Sequence, residues 1–226
     1  NGQLKAAYNL QIATENQFVL HYDIFSNPTD TKTLLPFLET YPHELKTVVA
    51  DAGYGSEENL LRLDENKVNH LIKYAMFDKE QKRGYKQSDR NLANWHYDDK
   101  EDSYTHPYGW YYRFHHIKHQ KTQTDFQQEI KVYYADEPES APQKGLYMNE
   151  RYQNLKAKEC QALLSPEGRQ IFAQRKIDVE PVFGQIKACL GYKRCNLRGK
   201  RQVRIDMGLV LMANNLLKYN KRTTQN

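Results

Sequence analysis

Two carboxylates stand where the backbone can hold them rigidly. Asp51 closes a four-residue apolar run, Thr47-Val48-Val49-Ala50, and a glycine turn, Gly53-Tyr54-Gly55, follows at once. In open α/β sheets ligands gather beyond the carboxyl ends of strands, so this is where a metal-binding acid belongs. An ordinary turn-forming aspartate has the same local sequence. Glu180 precedes Lys187 by seven residues, about 700° of helix rotation, which returns both to one face. A surface glutamate with an unpaired lysine is the plainer reading. Val179, Phe183, Ile186 and Leu190 form the neighbouring apolar stripe that would hold that face against a sheet. Pro181 either opens a helix capped by Glu180 or kinks one long helix.

The charge is unevenly placed. From Lys187 onward there are ten Lys/Arg against a single acid, Asp206, whereas the residues before it hold 23 basic and 27 acidic side chains. A block of that kind is a phosphate-contacting surface or a solvated helix face with a basic tail. A chain of 226 residues with 39% hydrophobic content can bury one good core. No apolar run is long enough to span a bilayer, and the first residues lack a signal-peptide core, so no membrane role is expected. Cys160, Cys189 and Cys195 are odd in number and lack C-x-x-C spacing, which argues against a disulfide framework or zinc knuckle and fits a reducing cytoplasm. The chain opens in mid-pattern without methionine, as a fragment or processed product would.

The elements that must position these groups follow from periodicity and punctuation. Ala6–Thr14 and Phe18–Ser26 read as a hairpin joined at Glu15-Asn16-Gln17. Thr29 or Asp30 is placed to cap a helix carrying Leu34, Leu35, Phe37 and Leu38. Thr47–Ala50 is a short buried strand, Ser56 caps the next helix with Glu57 and Glu58 in its first turn, and Val68–Ala75 is another strand. Residues 1–77 thus begin an α/β domain with a mixed, partly parallel sheet flanked by helices. Residues 78–150 differ: they hold nine tyrosines, both tryptophans and five of the eight histidines. Alternation in Tyr108–Phe114 and Ile130–Tyr134 predicts a β-rich insertion. Residues 151–226 return to helix, with Ser165-Pro166 a start signal and a last helix over about Gln202–Tyr219 carrying Val203, Met207, Val210, Leu211 and Leu217.

On Asp51-Ala52-Gly53-Tyr54 and Glu180-x6-Lys187 the chain resembles bacterial insertion-sequence transposases of the DDE type. Lys176, beside Arg175, stands in the arginine slot of their Tyr-x2-Arg-x3-Glu-x6-Lys signature, and Ala173, beside Phe172, replaces the tyrosine. Asn9-Leu10-Gln11-Ile12-Ala13, Leu197-Arg198-Gly199 and Ala213-Asn214-Asn215-Leu216 extend the match over nearly the whole chain. The resemblance implies an RNase H-like fold interrupted by a β-rich insertion. It also implies three carboxylates holding two Mg²⁺ ions about 3.5–4 Å apart for strand cleavage and strand transfer, with Mn²⁺ able to substitute. Asp51 and Glu180 would be two of the three. The first acid, carried in that family by a central strand ahead of the hairpin, is expected upstream of Asn1, because Asp23 lies on the second strand and Asp30 reads as a cap. Lys176 and Lys187 would contact phosphates near the scissile bond. Arg194, Arg198, Lys200, Arg201 and Arg204 would grip double-stranded DNA without reading its sequence. A homodimer assembled on DNA, in the nucleoid, is implied as well.

Other features have ready structural explanations. His115-His116-Ile117-Lys118-His119 suits a metal less well than a strand surface. The Tyr/Trp-rich insertion fills a small β core or stacks on unpaired bases. The competing functions are a DNA-binding remnant that catalyses nothing and a host nuclease of the same fold.

Overall fold

The computed structural model describes residues 7–224; Ala6, expected to open the first strand, lies outside them. β1 (Asn9–Glu15) and β2 (Phe18–Phe25) form an antiparallel hairpin. Its two connecting residues, Asn16 and Gln17, have φ of 52° and 67°, as in the mirror-image turns whose twist matches paired strands. A 3₁₀ turn, Asp30–Lys32, leads to α1 (Leu34–Glu39). The expected capping role of Thr29 or Asp30 is not realised: no side chain caps either element. β3 (Thr47–Ala50), α2 (Glu57–Glu65) and β4 (Asn69–Ile72) make a parallel βαβ unit. Ser56 caps α2 as expected, its Oγ accepting the Asn59 N–H at 3.2 Å.

Two short helices, α3 (Phe77–Glu80) and α4 (Arg83–Lys86), precede a five-stranded antiparallel sheet. Its strands β5 (His96–Asp98), β6 (Ser103–Thr105), β7 (Tyr111–Lys121), β8 (Gln127–Ala135) and β9 (Gly145–Met148) lie in chain order. Trp95, Tyr112 and Tyr133 are buried together here, so these aromatics build a core. Three helices complete the chain: α5 (Glu150–Leu164), α6 (Pro166–Ala188) and α7 (Lys200–Thr223). Ser165 Oγ accepts the Gly168 N–H at 2.9 Å with Pro166 in the first turn. Of the two readings of Pro181, the single long helix is the one adopted.

The fold is mixed α/β, but its two strand pairs, β1–β2 and β3–β4, are not hydrogen-bonded to each other. Helices bridge them. Val182 and Ile186 of α6 and Leu211 of α7 bury Val19 of β2. Val203 and Met207 cover Ile24, whereas Leu217, expected in the same stripe, is 46% exposed. Asn215 fixes the register: its Oδ1 accepts the Val19 N–H at 3.0 Å and its Nδ2 donates to the Val19 carbonyl at 2.8 Å. On the other side Leu155 of α5 packs with Leu60, Leu63 and Ile72.

His70 ties β4 to the helices on both sides. Its buried ring lies between Asp64, 3.1 Å from Nε2, and the buried Glu159, 2.6 Å from Nδ1. The second contact is short but poorly angled for a hydrogen bond, so charge rather than direction carries it. Glu159 Oε2 also accepts the Ile72 N–H at 2.8 Å. Burial alone would lower the His70 pKa, but the carboxylates of Glu159 and Asp64 outweigh it and raise the value above the ordinary 6.5. The stabilisation is therefore complete below the ordinary value and lost as pH rises through the raised one. The melting temperature of the wild-type chain should fall as pH rises above the ordinary 6.5 for this reason. His70→Ala should remove that slope and cost about 3 kcal/mol at the acidic end by leaving Glu159 buried and unpaired. A wild-type melting temperature that climbs over that rise would contradict the ion-pair account.

Candidate active site

Between the strand pairs lies a cavity of about 1100 Å³, walled by β1 on one side and β3 on the other. Leu34, Phe37 and Leu38 of the α1 segment and Val179 and Phe183 of α6 close it with apolar surface. Among its polar groups are Asp30, Asp51 and Tyr54 together with Gln174, Arg175 and Asp178 on α6.

Asp51 ends β3 and turns the chain: its Oδ1 accepts the Gly53 N–H at 3.0 Å and its Oδ2 accepts from Arg175 Nη2 at 2.7 Å. Asp30 reaches the same turn from the other strand pair. Its Oδ1 accepts from Asn9 Nδ2 at 2.8 Å and Gln11 Nε2 at 3.0 Å. Asp30 Oδ2 and Asp51 Oδ1 each lie 3.2 Å from the point where a Cβ on Gly53 would stand, so the two carboxylates face each other across a residue with no side chain. Tyr54 donates its hydroxyl proton to Gln11 Oε1. Burial first, then the charges of Asp30 and Asp51, push that hydroxyl well above its ordinary range, so it stays protonated. Donors supplied by β1 thus orient Asp30, and the turn itself orients Asp51. The set is all oxygen and suits a hard divalent cation, which typically takes one or two carboxylates and keeps waters.

Glu180 is not brought to this cavity. It lies five residues beyond Arg175, about 140° further round the helix after a full turn, and is exposed. Lys176 and Lys187 share that exposed face; the seven-residue spacing predicted a common face for Glu180 and Lys187, but that face was expected against a sheet and instead meets solvent. Sequence reasoning passed over two of the acids that line the cavity beside Asp51, namely Asp30 and Asp178. Asp30 was hidden by a cap-like Pro-Thr-Asp context, and Asp178 was overshadowed by the Glu-x6-Lys spacing.

The basic positions cluster. Arg194 and Arg198 lie exposed in the connection between α6 and α7, and Lys200, Arg201 and Arg204 are exposed in the first turns of α7. Arg204 also reaches Asp23 Oδ1 at 3.6 Å, so its charge is partly matched within the chain. The Gly199 N–H donates to Tyr8 Oη at 3.0 Å, and Lys200 Nζ sits 5.5 Å from the Phe25 ring centroid. Asn9, the residue after Tyr8, pairs with Phe25 in the hairpin and donates to Asp30. The cationic segment therefore meets the hairpin at its acid-bearing end.

Acids at a strand end and a cationic segment docked at the same end of the hairpin define an α/β protein with a surface suited to a polyanion. The profile of one family, Transposase DDE domain, matches residues 1–216, and the chain belongs to that family of DNA transposition proteins. Neither a curated protein nor a solved structure matches the chain.

The two glycines of the turn differ in what they permit. A Cβ on Gly55 would stand 2.1 Å from the Lys73 carbonyl oxygen, backbone that cannot yield, whereas one on Gly53 meets only carboxylate side chains. Gly55→Ala should therefore cost about 3 kcal/mol or more in denaturant unfolding, as overpacking does at its upper end, and Gly53→Ala about 1 kcal/mol. Equal costs would mean that the turn is not packed against β4 as described.

Proposed function

We propose that the chain supplies the catalytic part of a DDE transposase, which cleaves transposon ends and joins them to target DNA around Mg²⁺, with Mn²⁺ able to substitute. The observation that carries this reading is the acid pair across Gly53, lying at the end of the hairpin where the cationic segment docks. Asp51 and Asp30 provide carboxylate oxygens for a cation, and Asp178, from the cavity face of α6, is a further acid within the same walls. A bound divalent ion would supply Lewis-acid activation of the attacking water and then of the freed 3′-hydroxyl. The chain's own groups bind and orient: Asn9 and Gln11 fix Asp30, and the Gly53 N–H fixes Asp51. Tyr54 stays a neutral donor at the edge.

Glu180 enters this proposal as the alternative acid of α6, with Lys176 and Lys187 beside it to meet phosphates. Arg194, Arg198, Lys200, Arg201 and Arg204 bind the duplex backbone. The facing edges of β1 and β3 carry no strand partner among the described residues, and the cavity runs along both. A further strand seated there would join the two pairs into one mixed sheet and bring the first acid of the family. Assembly as a homodimer on DNA belongs to the same proposal.

A second reading, DNA binding without catalysis, is favoured by one observation: among the described residues no group of three His, Cys, Asp or Glu side chains gathers around one point. Nicking assays of the full-length protein on its own transposon ends separate the two. Asp51→Asn should abolish Mg²⁺-dependent nicking while DNA retention persists; undiminished nicking would refute the catalytic reading. Asp178→Asn and Glu180→Gln, compared side by side, identify the acid that α6 contributes: the inactive variant names it. Charge removal at Arg198 or Arg201 should weaken retention and make the slope of log affinity against log salt shallower by about one for each phosphate that the variant no longer neutralises. An unchanged slope would remove these residues from the interface.

A further inference from the structure

Arg175 stands where a cation is called for. Its Nη2 lies 2.7 Å from Asp51 Oδ2, the oxygen that the turn leaves free, since Oδ1 already accepts the Gly53 N–H. The guanidinium is mostly covered, with its side chain 20% exposed, whereas Asp51 remains 47% exposed. The same cavity holds Asp30 and Asp178, and Asp178 follows Arg175 by three residues, a neighbouring position on the helix surface. Glu15, Glu44 and Lys46 line the cavity as well, but among the described residues Arg175 is the cation paired with Asp51, and it offsets part of the acids' charge only while it stays. A divalent ion and a guanidinium repel, so both cannot hold the Asp51 carboxylate at full strength.

We propose that Arg175 is the resident counter-ion of the metal-free site, and that loading of a divalent ion displaces it from Asp51 and frees it to bind a phosphate oxygen of the DNA. This rests on the metal-site reading above and adds to it a positioning residue that couples metal binding to substrate binding. Guanidinium suits the second role because its planar fork matches phosphate oxygens. The exchange needs no large movement, because the cavity that holds the carboxylates also opens to solvent on the half-exposed side of Asp51.

The experiment measures Mn²⁺ binding by calorimetry and duplex binding by fluorescence anisotropy, the latter with and without Mn²⁺. The proteins compared are wild type, Arg175→Gln, Arg175→Lys and Asp51→Asn. Arg175→Gln should bind Mn²⁺ about fivefold more tightly, the factor expected for removing a half-exposed ion pair that competes with the metal. Arg175→Lys, which keeps the competing charge, should bind Mn²⁺ like wild type. The same glutamine variant should lose duplex affinity only when Mn²⁺ is present, because without metal the guanidinium is held by Asp51. Equal Mn²⁺ affinity in wild type and Arg175→Gln would overturn the inference. So would a loss of duplex affinity that is the same with and without metal, since a merely structural arginine would give that result. Absence of Mn²⁺ binding by wild type, or undiminished binding by Asp51→Asn, would overturn the metal-site reading and the inference together.

Discussion

Helix α6 holds the two strand pairs apart and together at once. Near its carboxyl end Val182 and Ile186 are buried against Val19 and Leu211, on the hairpin side. Near its start Phe172 packs with Val49 and Leu71 of the parallel pair. The Arg175–Asp51 ion pair spans the interval between these two apolar anchorages. One helix cannot shorten itself, so the separation of the pairs is fixed by its own rise per residue. The cavity and everything that faces into it follow from that spacing.

The site is then a matter of how opposite charges are gathered at one end of a short hairpin. Asp30 and Asp51 come from different strand pairs, yet both lie at the Asn9 end of β1, where β1 side chains supply two donors to Asp30. The positive field comes from a different part of the chain and is brought back by the Gly199–Tyr8 hydrogen bond. Had the basic block remained an independent tail, it would raise affinity for any polyanion without directing a phosphate toward the acids.

The five-stranded sheet is not a loose appendage. Glu57, only 2% exposed, accepts hydrogen bonds at 2.6 Å from Gln128 of β8, from Asn149 and from Arg151 of α5. Tyr152 donates to the Gly55 carbonyl at 2.6 Å. The glycine turn that positions Asp51 is therefore braced by the residues that leave the sheet and begin α5. A buried carboxylate is tolerable only when its lone pairs are filled, and here three partners from the sheet and its boundary fill them.

Local sequence determined what local chemistry can determine. The order β-β-α-β-α-β, the Ser56 and Ser165 caps, the β character of the aromatic-rich segment and the long last helix are all legible, because periodicity, capping oxygens and turn residues act over a few positions. The position of Asp51 beyond a strand end was legible for the same reason, and so was the shared face of Glu180 and Lys187. Tertiary structure decided the rest. Which face of α6 turns inward depends on the buried stripe of Val182 and Ile186 meeting Val19, and a stripe that includes Val179 and Phe183 is too broad to fix the angle from spacing alone. Asp30 joins Asp51 only because donors on β1, 21 and 19 residues away in the chain, outcompete the local cap it resembles. Interactions over that separation follow from how elements pack, and no short pattern encodes them.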